Sequence, residues 1–496
     1  MFRTFPLSAI VNFGARSVPV REVRVRTWLV MTMMAAPAIG PVVAPAAAQT
    51  TVQAGTSLPA PSGAPLAIDF AQDPVLKLGQ AEVSPEAFRR MVADSVMRHP
   101  SLKEAEAGMA EAEAGRGEAR AALFPTVELA LIGDRSLARN FSNDPDNLIE
   151  RSRPRGRTDA TANIQQRLFD FGATSKRIEA AGSRLRAASF DVEQAADQVA
   201  LRTIAAWYDV YAYRALVGLG EAMGQSQRRL ADAVRERVRQ GVAAEGDVAR
   251  VEAYVATADS RTARYRRALA TAEARLEELI GRPAPDRLDR PAMDFVMPST
   301  REAVSTAAVA SPIVRSAEAR AAAARYEATA TRRDMLPSVN AAINAGRYGV
   351  FENHDEYDVR GRLILNQRFF GGADSRADQA RARAAAADAA AERVRDEAVR
   401  DANIAFADVR SLELQLKAVQ DSYIANRRSR DVLAERFRVA RGTLFDVLTA
   451  EDDYFDAAAG YVQALTELDA ARFILLSRSG RLLDTMGVEA GGDRLR

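Results

Sequence analysis

The sequence contains no cysteine and only two histidines and four lysines in 496 residues. Without cysteine, a disulfide framework, a thiolate metal site and a lipidated lipoprotein N-terminus are excluded. No phosphate-binding P-loop and no G-x-S-x-G nucleophile elbow occurs. We therefore predict that the protein is not an enzyme and carries no cofactor and no metal site.

Aromatic residues are also scarce, at 6% of the chain, whereas hydrophobic residues together reach 48%, with alanine the commonest. A large globular core normally needs more leucine, isoleucine, valine and phenylalanine. Abundant alanine with arginine, glutamate and aspartate favours long helices that pack through small side chains. The 68 basic and 66 acidic residues give a net charge of +2 and are interspersed, so no nucleic-acid partner is expected.

The N-terminal region has the pattern of a secretory signal peptide, predicted over 1–48. Three arginines between positions 21 and 26 precede an apolar stretch, and the alanines at 46–48 supply a cleavage site. A short membrane anchor is the alternative, which three prolines between 37 and 45 disfavour. A flexible linker rich in proline, glycine and serine is predicted over 49–83. No later segment is apolar enough to cross a membrane as a helix.

The remaining chain runs through one pattern twice, which predicts two structural repeats at 84–299 and 300–488 and a short tail at 489–496. Each repeat opens with a helix rich in alanine, glutamate and arginine. These helices stop at Pro125 and Pro337, because proline cannot continue a helix.

Each repeat next contains two segments of alternating apolar and polar residues, predicted as the β-hairpins 126–169 and 338–369. About ten alternating residues is the length of a tilted transmembrane strand. A soluble hairpin with one wet face is the alternative, but soluble strands average about 5 or 6 residues. A polar side rich in arginine, asparagine and glutamine suits a watery lumen. In the second strand of the hairpin 126–169, the predicted apolar side consists of Ala160, Ala162, Ile164 and Leu168.

Long segments without proline follow each hairpin, at 173–239 and 373–438, and predict helices of about 100 Å. Each reverses at a turn and returns, which gives the helical hairpins 173–280 and 373–483. Alanine lies on their predicted contact faces and charged residues elsewhere, as in the wall of a hollow tube. An antiparallel coiled-coil scaffold is the alternative for the helices alone.

Four strands with an apolar outer side leave two unpaired sheet edges, which cannot lie in lipid. Closed transmembrane barrels need about eight strands, so one chain cannot close a barrel alone. Closure requires at least two copies, and a pore wide enough for large cargo favours three.

Over 84–488 the chain resembles the TolC-like outer-membrane efflux protein family. The resemblance rests on the duplication, on the junction Leu168-Phe169-Asp170-Phe171-Gly172, and on the turn followed by Asp446-Val447-Leu448. It implies a mainly α fold with a transmembrane β-barrel: duplicated αββα halves that form a homotrimer, a 12-strand barrel in the outer membrane and a helical tunnel through the periplasm. In that family the tips of the helical hairpins close the tunnel and dock on a periplasmic adaptor, which links to an inner-membrane pump.

The segments 442–452 and 479–487 look most like members that serve type I protein secretion, which implies an inner-membrane ABC transporter as partner. Small-molecule or multidrug efflux with a proton-driven pump is the first alternative. A periplasmic coiled-coil adaptor or scaffold is an alternative from a different class of protein.

The resemblance places the functional residues at the two hairpin tips. Asp446 would repeat as a ring of three carboxylates that favours cations, or it caps a helix N-terminus; for Asp247 we favour the cap. Ala440 stands where the family usually has glycine, and Gly442 and Phe437 also depart from its pattern. Arg438 and Arg441 are the nearest cations that could offset an Asp446 ring. The predicted pore gate is Asp446, Asp247, Phe437 and Arg441, and the predicted adaptor-docking tips are Gly241, Val242, Ala243, Ala440, Gly442, Thr443 and Leu444.

Overall fold

The computed structural model describes residues 58–65, 67–80, 83–140, 148, 156–352, 356–367 and 369–489. All of them belong to one compact unit, Val52–Arg496. The predicted signal peptide and residues 490–496 of the predicted tail lie outside the described residues. None of the helices in the described part of the chain is long and apolar enough to span a bilayer.

Helices make up most of both repeats, and the two longest have 67 and 66 residues. At 1.5 Å per residue each is about 100 Å long. Helix α1 (Pro74–Lys77) precedes the first repeat, whose helices are α2 (Pro85–Arg98), α3 (Pro100–Ala121), α4 (Ala173–Arg239) and α5 (Glu245–Ile280). In the second they are α6 (Arg301–Val309), α7 (Pro312–Arg333), α8 (Ala373–Arg438), α9 (Leu444–Arg478) and α10 (Leu482–Met486).

Small side chains bring these helices together. α4 pairs with α5 and α8 with α9, while α3 packs on α4 and α7 packs on both α4 and α8. Such residues allow close approach of the helices with few large side chains between them, which explains why so few aromatic residues suffice. The small buried residues of α4 and α7 include Ala180, Ala181, Ser183, Ala187, Ala319, Ala321 and Ala323.

The large side chains are concentrated midway along the helices, where α2, α4, α9 and the connector 281–300 meet. Phe88 packs against Trp207 and Phe473, with ring centroids 5.5 and 6.0 Å apart. The connector is fastened here because Trp207 donates a hydrogen bond to the Asp289 carbonyl at 3.3 Å.

A buried ion pair ties both repeats together in the same region. Arg290 of the connector donates to both oxygens of Asp469 on α9, at 2.5 and 2.8 Å, and also to the Gly79 carbonyl. Asp469 is fully buried. The pair therefore joins the N-terminal segment, the connector and α9 at one point.

The predicted linker 49–83 is anchored to the helices toward the end of its described part. Asp73 is 1% exposed and Val75 is fully buried, whereas residues 58–65 and 67–72 are half-buried or exposed. The linker therefore meets the helices most closely at Asp73 and Val75.

Four strands form one antiparallel sheet in the order β1 (Thr126–Arg135), β2 (Gly156–Phe169), β3 (Ser338–Arg347) and β4 (Tyr357–Asn366). The β2–β3 pairing joins the hairpins of the two repeats. Within the described residues, β1 and β4 each pair on one side only, so both outer edges of the sheet are open.

One face of this sheet is apolar across all four strands. Leu129, Ala162, Ala345 and Val359 lie side by side in one row of the register. On the opposite face Asn344 donates to Asn163 at 3.0 Å and accepts from Arg362 at 2.7 Å. The aliphatic side chains of the apolar face that are at least 62% exposed in the single chain are Val127, Leu129, Leu131, Val359, Leu363 and Leu365.

The apolar side of β2 gains one residue near the end of the strand. The register shifts between Arg167 and Phe169, so Leu168 is the extra residue of a bulge. Phe169 faces Val339 and continues the apolar row beyond the bulge. A bulge changes the alternation by one residue, and this one forms where β2 meets the distant β3.

Candidate functional site

The two helical hairpins reverse direction through the same turn geometry. At the end of α4, the Val242 N–H donates to the Arg237 carbonyl at 2.9 Å, and Gly241 has a φ of 73°. At the end of α8, the Arg441 N–H donates to the Arg436 carbonyl at 2.8 Å, and Ala440 has a φ of 57°. Both are helix ends of the Schellman type, in which the residue after the C-cap adopts the left-handed helical backbone conformation.

The two predicted gate carboxylates occupy equivalent positions in the first turns of α5 and α9. Asp446 accepts from the Thr443 N–H at 3.3 Å, and the Thr443 hydroxyl accepts from the Asp446 N–H at 3.2 Å. Asp247 accepts from the Ala244 N–H at 3.4 Å, but Ala244 has no side-chain acceptor to return the bond. Both residues therefore cap a helix N-terminus. Asp446 makes both bonds of the capping box with Thr443, whereas Asp247 makes only one of the two bonds with Ala244.

Phe437 joins the two hairpins just inside the tips. Its ring stacks under the Arg237 guanidinium, with the guanidinium carbon 4.3 Å from the ring centroid. Arg237 also donates to the Phe437 carbonyl at 3.2 Å. Beside this contact lies a small apolar cluster with members from both hairpins: Ala231, Val234, Val251, Leu444 and Leu448.

The side chain of Leu444 is therefore not part of the exposed tip in the single chain. It is buried in that cluster, where it supports the turn from inside. Sequence reasoning missed Val439 and Phe445, which are 45% and 56% exposed beside the second turn. Their signal was available in the sequence, as two large apolar residues that flank a turn made otherwise of small or polar residues.

The remaining predicted docking residues lie at the surface or half-buried. Val242 is 71% exposed. Gly241, Ala440 and Thr443 are exposed, whereas Ala243 and Gly442 are half-buried. The two turns together present a small, mostly uncharged patch at one end of the helices.

Arg438 does not serve Asp446 in the single chain. It donates two hydrogen bonds to Glu435, at 2.8 and 2.7 Å. The bond from Arg438 holds the pKa of Glu435 below its usual value. Arg441 is exposed and stays the nearer candidate for offsetting negative charge at the tip.

The sequence model of the outer membrane efflux protein family matches residues 92–282 and 303–480. These two ranges fall on the two repeats. The outer membrane efflux protein BepC of Brucella suis is 24% identical over 342 residues, which cover 67% of this chain and 75% of BepC.

Solved structures share the fold at low sequence identity. The Campylobacter jejuni CmeC outer membrane channel superposes with a TM-score of 0.71 at 16% identity, covering 84% of this chain and 94% of CmeC. The outer-membrane channel OprN gives 0.71 at 21% identity over 82% and 91% of the two chains. The open state of the Neisseria gonorrhoeae MtrE outer membrane channel gives 0.68 at 20% identity over 80% and 90%. The predicted fold class, a helical tunnel with strands for a β-barrel, is confirmed.

Proposed function

Because the chain belongs to the outer membrane efflux protein family, we propose that it is the outer-membrane channel of a tripartite export system. Three copies form the channel, with the sheets in the outer membrane and the helices reaching into the periplasm. The chain is a passive duct, and the energy for transport comes from an inner-membrane pump reached through a periplasmic adaptor.

The observation that carries this proposal is the sheet with one apolar, solvent-exposed face and two open edges. Such a face is stable in lipid, and such edges are not, because their N–H and C=O groups would lack partners there. Joining β4 of one copy to β1 of the next removes both edges. Three copies supply twelve strands and, from α4, α5, α8 and α9, twelve long helix segments for the tunnel wall.

Membrane fractionation followed by native mass measurement tests the assembly. We expect a homotrimer in the outer-membrane fraction that survives mild detergent. A soluble monomer in the periplasm would refute the proposal and would favour the adaptor or scaffold alternative.

For the cargo, we propose type I protein secretion with an ABC transporter as the inner-membrane pump. The support is the resemblance of 442–452 and 479–487 to members with that role. Efflux of small molecules is the second candidate, because the relative BepC is named as an efflux protein.

Loss of the protein separates the two cargo classes. Under type I secretion, a strain without it should lose a large protein from the culture supernatant, measured by mass spectrometry, with unchanged drug susceptibility. Increased susceptibility with a normal set of secreted proteins would replace this proposal with the efflux candidate. Restoring the wild-type chain should reverse either phenotype.

The tips at 241–243 and 440–443 are proposed to dock on the adaptor, together with Val439 and Phe445. Deleting residues 442–445 should abolish export while the trimer still assembles, because the turn lies at the far end of the helices from the sheet. Failure of the trimer to assemble would show that the turn is needed for folding instead.

A further inference from the structure

The N-terminal segment follows α8 from the middle of the molecule toward the tips. We call residues 58–65 and 67–73 the strap. At its inner end, the neighbouring Leu78 carbonyl accepts a hydrogen bond from Tyr211 on α4 at 2.8 Å. At its outer end, Pro59 lies beside Arg430, less than three helical turns from the end of α8.

The strap is anchored to α8 by a buried carboxylate. Asp73, 1% exposed, accepts from the Tyr423 hydroxyl at 2.9 Å and from Arg427. It also accepts from the Val75 N–H at 2.8 Å. Phe70 lies against the neighbouring guanidinium of Arg428, at 4.9 Å from the ring centroid.

A second anchor lies nearer the tips. Arg430 is 1% exposed and donates to the Pro59 carbonyl of the strap at 2.9 Å. The same guanidinium lies 3.4 Å from the Glu451 carboxylate and 4.3 Å from the Tyr454 ring centroid, both on α9. The strap therefore completes the surroundings of a buried cation shared by α8 and α9.

The strap also packs on an apolar cluster that both hairpins share. Leu58 lies against this cluster, which contains Leu216, Leu219 and Met223 of α4. The same cluster contains Tyr454 and Phe455 of α9. The strap is thus held to α8 by hydrogen bonds and charge, and to the shared cluster by apolar contact.

A cavity of about 350 Å³ lies under the strap, between the two hairpins. Ser62 of the strap, Ser226 and Gln227 of α4, Phe437 of α8 and Glu451 of α9 all line it. Gln227 is fully buried, and its side-chain oxygen has no hydrogen-bond partner among the described residues. The cavity therefore lies where the strap, α4, α8 and α9 meet, and it contains a buried amide oxygen without a protein partner among the described residues.

We propose that the strap is a latch that holds the second hairpin, α8–α9, against α4 and so keeps the tips together. If the two hairpins separate at this joint, the strap must leave either its ionic anchors on α8 or the apolar cluster that α8 and α9 share with α4. Release of the strap lowers the barrier to opening at the tips. This inference rests on the proposed function, in which the tips close a channel.

The test uses the full-length protein in planar lipid bilayers, with single-channel recording. Asp73→Asn keeps the shape of the side chain but weakens the bond to Arg427. We expect a several-fold increase in the fraction of time spent open. Asp69→Asn is the matched control, because Asp69 lies on the same strap, is exposed and caps only the short helix Phe70–Gln72.

A second experiment strengthens the attachment of the strap instead of weakening it. Ser62→Cys with Ser226→Cys provides the only two thiols in a chain without cysteine, and a short reducible bifunctional thiol reagent then ties the strap to α4. The cysteine pair is placed in a Phe437→Ala background, where loss of the stacking on Arg237 should raise the open fraction. In this background the cross-link should lower the open fraction, and reduction of the cross-link should raise it again.

Two negative results have different meanings. If the wild-type protein forms no channel in the bilayer, the proposed function fails. If the wild-type protein forms channels and neither Asp73→Asn nor the cross-link changes the open fraction, the strap is not a latch.

Discussion

The equivalent left-handed turn position is occupied by Gly241 in one repeat and by Ala440 in the other. Glycine adopts this conformation without steric cost, whereas a Cβ atom meets the following carbonyl. Ala440 therefore carries backbone strain at the tip. This strain was visible in the sequence only as a missing glycine, because the φ of 57° follows from the hydrogen bonds of the turn.

Exchanging glycine and alanine at the two equivalent turn positions measures that backbone strain. Gly241→Ala should lower the free energy of unfolding by about 1 kcal/mol, and Ala440→Gly should raise it by up to about 1 kcal/mol, less the entropy that glycine adds to the unfolded chain. The dissociation temperature of the trimer in detergent is the measurement. Shifts of the same sign in both variants would contradict the assignment.

Asp446 combines an observed cap with a proposed place at the pore axis. Asp446→Ala should weaken the first turn of α9 by about 1 kcal/mol, leave trimer assembly nearly normal and reduce block by divalent cations. Single-channel recording with added divalent cations provides the readout.

Asp247→Ala is the companion variant, because Asp247, the other predicted gate carboxylate and the one for which we favour the cap, makes the same reach-back bond in α5. We expect it to affect stability but not cation block. If Asp446→Ala keeps the wild-type conductance, selectivity and cation block, Asp446 is only a helix cap and the constriction lies elsewhere.

Local sequence is enough to place the long helices and the strands, but not the contacts between them. α4 and α8 fill the proline-free segments, and β1 and β3 begin directly after Pro125 and Pro337. The bulge at Leu168 could not be read from β2 alone. It depends on the pairing with β3, which is far away in the chain.

The same limit applies to the candidate site. The turn residues could be placed from the glycines and from Asp446, because a helix cap depends only on residues within a few positions of the helix end. The stacking of Phe437 on Arg237 and the burial of Leu444 depend on how one hairpin lies against the other. The contacts of the strap could not be predicted for the same reason, because its partners Tyr423, Arg427 and Arg430 are about 350 residues away along the chain.

At the level of the sheet, neighbouring residues of β1 provide a matched pair. Leu129 lies on the apolar face and Ala130 on the polar face. An arginine on the lipid face near the bilayer midplane costs about 2–4 kcal/mol, whereas a lumen position costs little. We expect Leu129→Arg to reduce strongly the amount of trimer in the outer membrane, and Ala130→Arg to leave it nearly unchanged. Equal losses from both variants would argue against a lipid-facing apolar surface.

For the whole molecule, the buried pair Arg290–Asp469 is the point where the N-terminal segment, the connector and α9 meet. Asp469→Ala leaves a buried guanidinium without its partner, which should lower the free energy of unfolding by about 3–5 kcal/mol. Thermal dissociation and protease sensitivity of the trimer measure the loss.

The double variant Arg290→Met with Asp469→Leu is the control, because it removes both charges and should be much less damaging than Asp469→Ala. If the double variant is as unstable as the single one, an unpaired buried guanidinium is not the cause of the loss.

The pairing of β2 with β3 also sets the order in which the protein can mature. β2 is made early, but its second neighbour is made only after α4, α5, the connector and α7. During that interval an apolar strand with a free edge is open to pairing with other chains. Such long-range pairing is slow, so we expect the newly exported chain to depend on periplasmic chaperones until the second hairpin arrives.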